Sequence, residues 1–467
     1  MKTLLYHILL LCCLSSLFTG RRWVLYALAL FTPLVQTLQS PYSFLFSPPN
    51  ALLLGLLGLM LRAGKEQKPS HPVHNLLVIL LWTVVLAAGT LRTWLIPPQI
   101  PGFPIDIAAV FINSWYWTTP FLMYWLLYQL VDSRDVARRV IALCMLSAVG
   151  EAFLAVYERL QGIGRATAHL DEPNRAGAFF AGTAVFFFAF VLMEKGRQRW
   201  PFLIAWVLTM TALFATLSRG GMLAAGLGSM VIFAIFLLFS EQKGLATKFN
   251  YMVLGILVAG NIALILPERV MDRLLVTVQG DPRETDVKEG DIFDLPAGSI
   301  DPEKMDDSAA DRLLLWTVGL RLYREQPSGY GSFTATPLQA KYRGSPKAMH
   351  NIYLQVLVEH GIQGLACLVL LILTVARNLW KSFRKATAIE ESTVLLGLLG
   401  YWVALCVAHF FVNPFFMLHL TGQFWIMSAC ALRACSEKEP VPSRMNDVKF
   451  AARGVAGRLQ RDTTAWR

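Results

Sequence analysis

The feature that most restricts this chain is the recurrence of apolar runs long enough to cross a lipid bilayer. Runs near the length a ~30 Å hydrocarbon core requires fall at 3–19, 23–39, 50–62, 75–95, 107–131, 138–157, 176–193, 201–218, 221–240, 248–266, 352–376, 393–412 and 416–433. The third is short and needs its flanking residues. Only 16% of the 467 residues are charged, against about a quarter in a soluble domain, and mean hydropathy is +0.49. A charge at the bilayer centre costs roughly 2.5–3.5 kcal/mol on insertion scales, so charges belong in loops. The predicted fold is an all-α polytopic membrane protein with about 12 or 13 transmembrane helices, and no nucleic-acid partner is expected.

The distribution of charge gives orientation. Net charge is +11, yet from Glu268 to Asp311 thirteen acidic residues face five basic ones, so −8 sits there and +19 elsewhere. Basic loops follow every second span: Arg62, Lys65 and Lys68; Arg134, Arg138 and Arg139; Lys195, Arg197 and Arg199; Lys243 and Lys248; Arg377, Lys381, Arg384 and Lys385; then the tail from Arg433. The positive-inside rule makes these cytoplasmic. It places 96–106, 158–175, 219–220, 267–351 and 413–415 on the far side, and Arg21 and Arg22 inside. Run 3–19 reads as a retained thirteenth span or an uncleaved signal-like helix, since no small-residue cleavage site precedes Arg21.

Four parts follow: transmembrane helices over 1–266, a large extracytoplasmic loop over 267–351, transmembrane helices over 352–433, and a basic cytoplasmic tail over 434–467. Within the loop, 280–310 is rich in Asp, Gly and Pro. After it Asp311–Tyr323 has apolar residues on a helical period, with Asp311 suited to an N-terminal position; this predicts an amphipathic helix lying on the bilayer. Pro327-Ser-Gly-Tyr-Gly331 ends it. None of the seven cysteines lies in the loop, so neither disulfides nor a zinc cluster is indicated. Asp281, Asp286, Asp291 and Asp294 fit no EF-hand spacing and read as a solvated acidic face.

Four polar clusters map to the far face. Asp171-Glu-Pro-Asn174-Arg175 opens a span. Leu217-Ser-Arg219-Gly-Gly221 is a hairpin of almost no length, where an arginine is costly unless it snorkels or meets an anion. Arg312 starts the surface helix, with Arg321 and Arg324 two and three turns on. Met349-His350-Asn351-Ile-Tyr353 leads into a span and is followed by Glu359-His-Gly361-Ile-Gln-Gly364. Each has a plain reading as cap, anchor or solvated charge. Together they have a chemical one: arginine forks bind phosphate oxygens bidentately, and a neutral imidazole is the ordinary base for a hydroxyl. His350 is the one histidine in the loop; His169, beside Asp171, is its rival. His71 and His74 fall on the cytoplasmic side, and His7 and His409 within apolar runs. A transporter would instead show several polar groups at mid-membrane depth, and Glu151 is the one carboxylate that enters a span.

The same segments are similar to the superfamily of O-antigen ligases and polymerases, bacterial envelope glycosyltransferases. The likeness rests on Asp171-Glu-Pro-Asn-Arg-Ala-Gly177, Thr216-Leu-Ser-Arg-Gly-Gly221, Asp311-Arg-Leu-Leu-Leu-Trp316 with Pro327-Ser-Gly-Tyr-Gly331, and His350-Asn-Ile-Tyr-Leu-Gln-Val-Leu-Val-Glu-His-Gly-Ile-Gln-Gly364. It covers about 165 to 365. The resemblance implies a C-type glycosyltransferase fold in the bacterial inner membrane, its active site facing the periplasm. It further implies an undecaprenyl-diphosphate-linked glycan donor, Arg219 and Arg312 as diphosphate binders, and His350 as activator of the acceptor hydroxyl. Asn174, Arg175, Arg321, Asn351, Tyr353 and Glu359 are expected to support them, with no metal and no cofactor. His360 departs from the pattern, where a small or apolar residue is commoner. The position of the large loop favours a ligase acting on lipid A-core oligosaccharide; a polymerase taking a second lipid-linked repeat is the alternative.

Overall fold

The computed structural model describes residues 2–19, 22–35, 37–38, 47–63, 73–239, 307–412 and 416–436. The run 248–266, the acidic segment through 306, the tail past 436, and Arg21, Lys65, Lys68, His71, Lys243 and Lys248 lie outside these. The described residues form helices α1 (Lys2–Thr19), α2 (Trp23–Phe31), α3 (Pro48–Ala63), α4 (Leu76–Leu95), α5 (Ile107–Leu130), α6 (Arg134–Leu160), α7 (Pro173–Met193), α8 (Arg199–Ala215) and α9 (Arg219–Phe239). Beyond the acidic segment come α10 (Asp307–Glu325), two single turns, α11 (Ala335–Leu338) and α12 (Ala340–Arg343), then α13 (Ile352–Lys385), α14 (Ile389–Ala408) and α15 (Leu418–Ser436).

The protein is a multi-pass α-helical membrane protein. Among the described residues seven helices are long and apolar enough to cross a bilayer: α1, α4, α6, α7, α9, α13 and α14. One of the expected dozen, 248–266, lies outside the described residues, and several of the others fall short of this measure. The run 23–39 folds as the nine-residue α2, which tightens at Pro33 into a 3-10 turn over Thr32–Leu34; at ~1.5 Å per residue that is too short to span alone. Helices α3 and α8 fall short in length, and α5 and α15 are more polar along theirs.

Helix α7 is apolar on every side and buried all round, the pattern of a helix at the centre of a bundle. It packs on α8, α9 and α14, the last also buried over most of its length. Small residues permit these approaches, as expected where lipid and side chain are equally apolar: Gly182 faces the Tyr401 ring, and a Cβ at Gly228 would reach 3.0 Å from the Gly400 carbonyl oxygen. Among the described residues, the loops around Arg22, Arg134 and Glu391 and the end of α15, all assigned to the cytoplasm, meet at one end of the bundle. There Arg22 pairs with Asp132, Arg134 with Glu391 at 3.3 Å and Arg138 with Glu390 at 2.8 Å, while Arg433 Nε donates to the Val131 carbonyl at 3.1 Å. The described segments assigned to the far side, 96–106, 158–175, 219–220 and 307–351, lie at the other end.

The surface helix differs from expectation. It begins at Asp307, so Asp311 sits one turn inside rather than at the start. Its buried residues, Leu315, Val318 and Leu322, face protein rather than lipid: Gly319 abuts Leu354 of α13, and Val318 and Leu322 share a small core with Ile100, Leu338, Met349 and Val358. Leu313 and Leu320 are the members of its apolar set left exposed.

Helix α13 is broken. Gly361 has φ 69° and ψ −169°, which separates an upper arm, Ile352 to His360, from the long lower one; only glycine takes that conformation readily.

Candidate active site

Three of the four polar clusters stand where a membrane helix begins. Pro173 opens α7 at a position where its missing N–H is no loss. Ser218 precedes α9, and its Oγ accepts the Gly221 N–H at 3.3 Å. Asn351 caps α13, accepting the Leu354 N–H at 3.1 Å. All three helices therefore turn their positive N-terminal ends toward the far face.

Short contacts bind these starts together. A Cβ at Gly221 would come within 2.7 Å of the Gly177 carbonyl oxygen, so the hairpin lies directly on the first turn of α7. Arg165 reinforces the join: its Nε donates to the Thr216 carbonyl at 3.1 Å and its Nη2 to Asn174 Oδ1 at 3.0 Å. Asn174 in turn donates to Glu172 at 3.1 Å, and Arg175 pairs with Asp171 at 3.1 Å and Glu172 at 3.2 Å.

The turn after α14 links this assembly to His350. The His409 carbonyl accepts the Ile352 N–H at 3.1 Å, and the Tyr353 hydroxyl donates to the Cys406 carbonyl at 2.7 Å. The Tyr353 ring lies 4.3 Å from that of Phe410. Phe411 is the common floor. A Cβ on Gly220 would meet Phe411 at 2.7 Å, while the Arg312 guanidinium carbon sits 6.0 Å from the centre of the same ring, within cation–π reach. Trp316 ties the arginine's helix to the histidine loop by donating to the Met349 carbonyl at 3.2 Å.

Asp311 anchors the start of α10 to Arg343 at 2.5 Å and Lys347 at 2.6 Å. Burial raises its carboxyl, but hydrogen bonds from Lys347 and Arg343 prevail and hold it below its ordinary value. The His350 imidazole is held below its ordinary 6.5, mainly because burial disfavours the cation; Glu172 opposes this and Arg312 supports it. Burial therefore favours the neutral ring. His350 itself is left-handed, with φ 50°, as are Ala168, Asp171, Leu217 and Phe333; among the described residues only Asn75 shares that state away from this end without being a glycine. Such positions cost on the order of 1–3 kcal/mol and cluster at functional sites.

Not every expected residue joins the group. Arg321 lies about 13 Å along α10 from Arg312, stacked 4.4 Å over Tyr342 and 3.8 Å from Glu325. Glu359 lies two turns below the imidazole, buried within the bundle. His169, the rival base, is committed elsewhere: its N–H and Nδ1 both meet the buried Glu151 carboxylate at 3.1 Å. That hydrogen bond, opposed by burial, raises its pKa above the ordinary value. The pairing also gives Glu151, the one carboxylate expected to enter a span, a partner.

Residues 203–369 match the O-antigen ligase family. That family stretch begins in α8, carries the Arg219 hairpin and α10, and ends just below the break in α13. It thus holds Arg219, Arg312 and His350, whereas the Asp171 cluster joins from outside through Arg165. No curated protein matches the chain. Three contributors escaped the sequence reading: Glu172, Arg165 and Phe411. Glu172 stood within a quoted motif. Arg165 obeys no helical spacing to its partners, and Phe411 ends an apolar run in which nothing marks a binding floor.

Proposed function

We propose that this chain transfers a glycan from undecaprenyl diphosphate to a lipid A-core oligosaccharide, at the periplasmic face of a bacterial inner membrane. The observation that carries this reading is the gathering of Arg312, the Arg219 hairpin and Glu172 about the His350 loop, from stretches separated by nearly 180 residues of sequence. A lipid diphosphate brings about two negative charges to a membrane surface, and Arg219, Arg312 and three helix N-termini are the matching cations and dipoles. No metal or cofactor enters the scheme.

In the reaction His350 takes the proton of the acceptor hydroxyl as its oxygen attacks the anomeric carbon. The bond from that carbon to the diphosphate oxygen breaks, and undecaprenyl diphosphate leaves with the electron pair, stabilised by the two arginines. Asn351 and Tyr353 hold the histidine loop, and Asn174 and Arg175 hold the α7 start.

A ligase is favoured over a polymerase because the loop from α6 to α7 is short and pinned by Arg165, His169 and Glu158. This leaves the 267–351 segment as the one large extracytoplasmic insertion. The test is incubation of purified protein with an undecaprenyl-diphosphate glycan and either lipid A-core or excess donor. Sugar gained by lipid A-core supports the ligase; elongation of donor alone would make the enzyme a polymerase, and transfer to neither would remove the reading.

A further inference from the structure

A broken helix leaves carbonyls without their usual partners, and the chain supplies replacements. With α13 interrupted at Gly361, the Val358 and Glu359 carbonyls accept instead from Tyr330 at 3.0 Å and Gly331 at 2.8 Å. These belong to a strap, 326–335, that leaves the end of α10. The strap is also fastened to α4: the Ser332 N–H donates to the Gly89 carbonyl at 3.1 Å, and Thr93 Oγ1 donates to the Ser332 carbonyl at 3.0 Å. At its far end, two residues after the left-handed Phe333, the Ala335 N–H donates to Glu359 Oε1 at 3.3 Å, and the same oxygen accepts Gln355 Nε2 at 2.9 Å.

Glu359 is 1% exposed, and no ion pair reaches it among the described residues. A carboxyl so placed is costly unless hydrogen-bonded, and an apolar residue would pack there at less cost. The hydrogen bonds it makes all serve the strap or the upper arm. That arm carries His350 at its top, and the helix entering the strap carries Arg312. Two further ties join arm and helix, Trp316 to Met349 and Gly319 against Leu354.

We propose that Glu359 is a positioning residue: by holding the strap against the upper arm of α13 it fixes the height of Arg312 relative to His350. This rests on the function proposed above, and it assigns Glu359 a task at a distance from the reacting atoms. The carboxyl acts as an acceptor, so an amide does the same work.

The test uses full-length protein in lipid nanodiscs, with transfer from an undecaprenyl-diphosphate glycan to lipid A-core and amide hydrogen exchange over 330–335 measured on the same samples. Glu359→Gln is expected to keep transfer within about 3-fold and exchange unchanged. Glu359→Ala is expected to lower kcat about 100-fold, the scale of a 1 Å misplacement, with faster exchange at Gly331 and Ala335. A disulfide between Thr90→Cys and Ser332→Cys, whose hydroxyls lie 3.3 Å apart, should restore much of the transfer in the Ala variant and lose it on reduction. An inactive Gln variant with a protected strap would overturn the proposal, because charge rather than position would then matter. So would an Ala variant with unchanged exchange. If wild-type protein transfers nothing, the functional reading fails separately, and exchange in the Ala variant still decides whether Glu359 holds the strap.

Discussion

The two ends of the bundle are built on different principles. At the basic end, half-exposed and partly buried side chains pair acid with base, as in Arg138–Glu390 and Arg134–Glu391, and helix α6 starts from Ser133 in ordinary extended geometry. At the opposite end ion pairs such as Arg175–Asp171 and Asp311–Arg343 are joined by polar groups that grip backbone atoms, and five residues other than glycine hold left-handed conformations. The first arrangement is cheap, screened by salt and replaceable. The second stores strain and orders a constellation, which is what a site for chemistry requires.

The sharpest way to break this contrast is His350→Ala. Loss of a general base lowers rates about 100- to 10,000-fold, so glycan transfer is expected to fall by that factor while the protein still inserts. Transfer at the wild-type rate would return the far end to a structural role. Next, Arg312→Ala and Arg219→Ala are expected to lower donor use about 10- to 100-fold, with Lys restoring only part of it, since an ammonium cannot offer a planar fork. Fully active Lys variants would remove the bidentate argument.

A smaller effect is expected from pH. The folded-state His350 is shifted below 6.5, so the base stays neutral at pH 7 and the rate falls only as pH drops through that lowered value. An acid limb centred above pH 6.5 in a kcat/KM profile would contradict the burial of the ring. His169 runs the opposite way: its raised pKa means that the Glu151 clasp contributes fully below pH 6.5 and weakens as pH rises through the folded value. The smallest effect belongs to the basic end. Arg138→Ala removes a half-exposed pair worth about 0.2–1 kcal/mol, and transfer is expected to stay unchanged; a large loss there would erase the distinction between the ends.

Much of the far end was legible as local motifs, because Asn351, Ser218 and Pro173 are helix-start residues for reasons of backbone chemistry alone. Their convergence is expected from shared chemistry and the family resemblance, but the contacts that make it, through Phe411 and Arg165, carry no spacing rule. The length of an apolar run also misled at 23–39, where Pro33 halts α2 within a stretch that hydropathy reads as continuous. In α13 the opposite occurred. Gly361 stands within an apolar run and its break depends on the strap, a partner some thirty residues earlier in the chain. Arg321, expected to support Arg312 from two turns on, is held by Tyr342 and Glu325 at the other end of α10.

The interruption at Gly361 also divides α13 mechanically. The lower arm, reaching from Ile362 to Lys385, is the part that must tilt when membrane thickness changes, whereas the upper arm is lashed to α4 and the strap. The two arms are thus joined through a single residue, and the imidazole sits on the arm that the strap secures.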